Sequence, residues 1–183
     1  GGAFLMAMGS DRTDGEIFNT PLATVLPVTP EGEEAIKGAY IPTLTESGKS
    51  HPVTAEMQAL FAQKPWGEWF TQARVQKHGG DTLMTGAGSA PLLVLDKVSD
   101  GRVAVLASDN VWLWSKGGET HGPYTRLLRN TAHWLMKEPE LEDDYIKAVA
   151  KGTTIAVAQR NLSAAPRTVV PASMVRDGRA DIG

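Results

Sequence analysis

The chain has 183 residues, 42% hydrophobic and 21% charged, with a formal net charge of -3 and no cysteine. This suits one well-buried domain, or one domain plus a short appendage. It excludes disulfides, thiolate metal sites and a cysteine nucleophile, and it leaves no basic footprint for nucleic acid.

In chain order, the sequence opens without Met in an apolar run. Residues 3–8 read as a fully buried strand, and the chain as a piece of a longer protein. Residues 9–15, GSDRTDG, form a polar turn. Thr20 followed by Pro21 predicts a capped helix start, with Leu22, Val25 and Leu26 in a short helix that Pro27 ends. Residues 29–50, rich in Pro, Gly, Glu and Thr, read as an insertion-like excursion with a short strand at 39–41. Thr54 is positioned to cap a helix carrying Met57, Leu60 and Phe61 on one face. Residues 65–70, PWGEWF, make an aromatic knot that reads as a packing plug. Strands follow at 73–77, 81–85, 91–98 and 102–107. The last two are joined by Ser99-Asp100-Gly101, which predicts an antiparallel hairpin buried on both faces.

A helix runs from Pro123 to Lys137, with Leu127, Thr131, Trp134 and Leu135 as its apolar stripe and Asn130 on the polar side. A second helix is expected from Pro139 to Lys151, its acidic residues first and Gly152 as its stop. Residues 153–183 are β-prone at 154–158 and 168–170. The expected division is therefore a domain at 1–152 and a tail at 153–183.

The stretch 101–121 holds the first place to look for a site. A buried strand breaks at Ser108-Asp109-Asn110, two tryptophans follow at alternate positions (Trp112 and Trp114), and a loop leads to His121. In open α/β sheets, ligands bind where strands end in such loops. Asp109 and His121 are the acid/base candidates. Asn110, Trp112 and Trp114 are candidate pocket-lining residues, with packing as the alternative role for both tryptophans. The four histidines are widely spaced, so no metal site is expected. No serine elbow of the G-x-S-x-G type is present.

Several segments together carry a family resemblance: GGAFLMAMGSD, TPLATVLPV, HPVT, WGEWF, PLLVLDKVSDGRVAVLASDNVWLW and LLRNTAHWLMKEPELE. Over roughly residues 1–150 the chain resembles the class I glutamine amidotransferase-like domains of large bacterial membrane-anchored proteins. The resemblance implies a flavodoxin-like, three-layer α/β fold, here a partial domain whose first half lies upstream. It places the nucleophile elbow at Met8 or Gly9, with Ser10 and Asp11 next to it. A thioether has no proton to lose and cannot replace the family's cysteine. The family's His-x-Glu pair is also missing, its region reading Ser108-Asp109-Asn110.

The expectation is a non-catalytic binding or interaction module without a cofactor. The alternatives are a hydrolase-like enzyme using Asp109 and His121, and a structural spacer. No membrane span is expected in this chain, which reads as a soluble part of a bacterial membrane protein. Its first strand should pair with a second copy or with an upstream half-domain.

Overall fold

The computed structural model describes residues 1–9, 12–32, 34–63, 65–117 and 122–138, and the backbone of four strands beyond them. The longest apolar runs pair as their sequence requires. β8 (Pro91–Val98) and β9 (Gly101–Leu106) form an antiparallel hairpin with Val98 opposite Gly101. Ser99 takes the tight turn with φ 51°, the left-handed conformation that two-residue hairpin loops demand. Leu92, Leu93, Val94 and Leu95 are all buried, as are Val103 to Leu106, because layers cover both faces of this pair. β7 (Asp81–Thr85) lies antiparallel beside β8, and β4 (Thr43–Leu44) antiparallel beside β7. β1 (Ala3–Ala7) runs parallel to β9. The mixed sheet therefore has the order β1-β9-β8-β7-β4, and the fold is mixed α/β.

One face of the sheet packs against α2 (Ala55–Gln63) and α3 (Tyr124–Leu135), burying Met57, Trp69, Leu93, Leu106, Leu127 and Trp134. The expected stripe of α3 is buried as drawn. Asn130 corrects the polar side: it too is buried, because its Nδ2 donates to the Val53 carbonyl at 3.1 Å. Arg102 of β9 donates to the Trp134 carbonyl and stands 4.8 Å from that ring's centroid. A cation at the last turn of a helix is favoured by the backbone dipole, and the aromatic face adds to it. The other face buries Met6, Met8, Val94 and Val105 against Leu26, Val28 and Val75. Two 3-10 segments (Arg12–Asn19 and Pro21–Val25) and the pair of β2 (Val28–Pro30) with β6 (Val75–Lys77) form that third layer.

Several expectations need correction. β1 is a sheet-edge strand rather than a fully buried one, and only its Met6 is buried. The short helix after Pro21 is a 3-10 turn, still capped by Thr20 through the Leu22 N–H. Residues 29–50 are no excursion. β3 (Ile36–Tyr40) pairs with β5 (Trp69–Gln72), β4 joins the main sheet, and Thr45 caps α1 (Glu46–Ser50) by accepting from the Gly48 N–H at 2.9 Å. Thr54 does not cap; its hydroxyl donates to the Gly48 carbonyl at 2.6 Å. The aromatic knot is partly strand β5.

The second helix is a strand instead. β10 (Tyr145–Lys151) pairs antiparallel with β11 (Thr154–Arg160), Lys151 opposite Thr154. These strands flank residue 152, where the expected division falls. β12 (Ala172–Met174) pairs with β13 (Ala180–Ile182), and the expected strand at 168–170 lies outside the described residues. Among the described residues no helix is long and apolar enough to cross a membrane.

Candidate functional site at the carboxyl ends of the parallel pair

β1 and β9 run the same way, so their carboxyl ends emerge side by side. The Met8 N–H reaches the Leu106 carbonyl at 2.8 Å, carrying the pairing one residue past β1. Met8 and Gly9 thereby emerge at the same end of the sheet as the Ser108-Asp109-Asn110 break.

Their roles differ from the sequence expectation. Met8 is 4% exposed and packs in the second core, so its thioether is turned away from solvent, while Gly9 is half-buried. Ser10, Asp11 and His121 lie outside the described residues. Ser108 is buried; its hydroxyl donates to the Thr71 carbonyl at 2.7 Å and accepts from the Asn110 N–H at 3.0 Å. Asn110 Oδ1 accepts from both the Phe70 and Thr71 N–H groups, at 2.9 and 3.0 Å, and its Nδ2 donates to Asp109 Oδ1 at 2.8 Å. Nearby, the Ala73 N–H donates to the Ala107 carbonyl at 2.7 Å. The stretch after β9 is thus latched onto β5 by its own polar atoms. Asp109 keeps an exposed carboxylate beside the latch.

Tyr40 belongs to the same cluster, although nothing in the sequence singled it out. Its hydroxyl donates to the Thr71 carbonyl at 3.0 Å, so Tyr40 and Ser108 share one acceptor. Burial pushes the phenol from 10.0 up to about 12; a Ser108 hydrogen bond opposes this and the Asp109 charge adds to it. The signal available in the sequence was the Ser-x-Asn spacing, a pattern for local side-chain-to-backbone bonds. Its partners in β3 and β5 lie far away along the chain.

The tryptophans separate because residues 110–116 form a 3-10 helix rather than a strand. At three residues per turn, positions two apart diverge around the axis. Trp112 is 44% exposed with Lys116 Nζ 4.6 Å from its ring centroid. Trp114 is buried, donates from Nε1 to the Gly67 carbonyl at 3.0 Å, and lies 4.7 and 5.2 Å from the rings of Trp69 and Trp66. One margin of Trp114 borders a cleft of about 470 Å³ with Leu60, Ser115, Gly122, Pro123 and Tyr124. That cleft shares no residue with the Ser108–Asn110 latch.

Among the described residues the edge offers the exposed Asp109 carboxylate and the buried Ser108 hydroxyl, already committed on both sides. Among the described residues no group of three His, Asp or Glu side chains is arranged to hold a metal ion.

No family model matches the chain, and no curated protein matches it either. Among solved structures it is similar to the cytoplasmic protein STM1381 from Salmonella typhimurium LT2, with 21% sequence identity and a TM-score of 0.50. The similarity covers 72% of this chain and 55% of that one, so the chain spans about half the length of this neighbour. At that identity the likeness concerns the fold alone.

Proposed function

We propose that residues 1–152 are the carboxyl-terminal part of a glutamine amidotransferase-like α/β domain of flavodoxin-like type. In this reading the domain binds a ligand or partner without hydrolysing glutamine, and it belongs to a longer, membrane-anchored protein. One observation carries the non-catalytic reading: the residue just after the strand that would present the nucleophile is Met8, whose thioether is packed in the core. The chain has no cysteine to take its place. The parallel pairing of β1 with β9 supports the family reading, because it sets the elbow position beside the loop after the late strand, the crevice where open α/β sheets hold ligands. Ligand binding would fall to the Asp109 carboxylate at that edge.

The test is an amide ¹⁵N–¹H NMR titration of the whole chain with a library of small amides and carboxylates. The reading expects shift changes centred on Met8, Gly9 and Ser108 to Asn110. A library that perturbs only other surfaces contradicts it.

A further inference from the structure

A small cleft at the opposite end of the sheet carries a second inference, one that does not rest on the ligand reading at Asp109. β7 begins there and β8 ends there, whereas the Ser108–Asn110 latch follows the far end of β9. Asp81 stands opposite Leu95 in the ladder, so their side chains share a face. Lys97, two residues on from Leu95, shares it as well. Leu95 packs in the core cluster that also holds Trp134. His51, directly after α1, completes the group. Its ring centroid lies 6.0 Å from that of Trp134, and its Nδ1 accepts from the Val53 N–H at 3.2 Å. Together these residues line a cleft of about 120 Å³. The turn before β7 brings the backbone of Gly80 to its wall with φ 65°, where a Cβ would run into the Leu95 carbonyl oxygen.

Two features of the lining point to an occupant. Trp134 is 1% exposed, and its Nε1–H is a buried donor with no hydrogen-bond partner among the described residues. A buried donor left unsatisfied is costly, so an acceptor that reaches it gains more than one offered to solvent. The cleft also carries both signs of charge. The Asp81 and Asp96 carboxylates border it on one side and the Lys97 ammonium on the other, with the Arg102 guanidinium held over the Trp134 ring. A simple anion meets the two carboxylates, and a simple cation meets Lys97. Among the described residues no three His, Asp or Glu side chains gather to hold a metal ion. We propose that the cleft binds a small zwitterion, an α-amino acid of glycine or alanine size. Its carboxylate accepts from Trp134 Nε1–H and faces Lys97, while its ammonium pairs with the exposed Asp81 carboxylate. An apolar cavity of about 150 Å³ takes benzene, so this cleft suits a ligand of about the same number of heavy atoms or fewer.

The indole N–H signals of the ¹⁵N-labelled whole chain read this out. Trp134 contributes one of five, assigned by its loss in Trp134→Phe. Glycine and alanine, titrated at neutral pH, are expected to move that signal downfield in a saturable way, as a new acceptor does. Acetate alone, methylammonium alone and the bulkier leucine move it far less. Asp81→Asn, at an exposed site, weakens the glycine response about tenfold or more by removing the charge that faces the ammonium. Glu16→Gln, on the layer across the sheet, leaves it intact. Thermal melts of both variants stay near wild type, which separates lost binding from lost folding. A Trp134 signal that neither amino acid moves, one that acetate moves equally, or a glycine response indifferent to Asp81→Asn overturns the proposal and leaves the cleft to water.

Discussion

Asn110 joins two parts of the fold by standing in for a neighbouring strand. Its Oδ1 accepts the N–H groups of two successive β5 residues. Replacement by Ala leaves both donors without that acceptor, and the expected cost is about 1–3 kcal/mol in urea unfolding. Asn110→Asp keeps the acceptor and is expected to lose less.

Tyr40, at the same junction, makes the fold alkali-sensitive. Its folded value of about 12 stands above the ordinary 10.0, so the folded chain holds the phenolic proton more tightly. The stability this contributes is intact below pH 10 and falls as pH rises from 10 toward 12. Absorbance titration at alkaline pH is expected to show a late-ionising tyrosine that Tyr40→Phe removes. At this scale the sequence was half legible. Ser108-Asp109-Asn110 announces a local break, but its bonds go to Thr71, more than thirty positions away. Nothing near Tyr40 or Thr71 signals that they belong with it.

At the scale of elements, long buried runs declared themselves and short or amphipathic ones did not. β8, β9 and α3 are legible because burial on both faces, a tight turn and a 3.6-residue stripe each leave a local pattern. The segment 145–151 carries two patterns at once. Tyr145, Ile146 and Val149 fit a helical face, yet they are also strand-favouring types, and Gly152 suits a turn between strands as well as a helix stop. Pairing with residues 154–160 settles it as strand. The segment 29–50 hides its strands for a related reason: β2 and β3 find their partners in residues 69–77. Gly48 shows how closely α1 is pressed onto the sheet. A Cβ at that position would stand 2.0 Å from the Leu83 carbonyl oxygen. Gly48→Ala is therefore expected to destabilise by about 1–3 kcal/mol through forced displacement of backbone, read as a lowered midpoint in thermal melts.

Across the whole molecule, the α/β class was legible, because buried apolar strands and an amphipathic helix each leave a local pattern. The mixed character of the sheet was not, since the direction of β1 relative to β9 depends on the long crossover between them. The burial of Met8, where the resemblance places the elbow, was not legible either. Met8 follows the alternation of β1 into the second core, so a thiol placed there would be shielded. Met8→Cys is accordingly expected to react with iodoacetamide far more slowly in the folded chain than in urea.

The central proposal is a glutamine amidotransferase-like domain without the family's chemistry. Ammonia release from L-glutamine, followed with the purified chain beside a working glutaminase, tests it most directly. The account expects no release above the protein-free blank. Glutamine-dependent release that Asp109→Ala abolishes would contradict it.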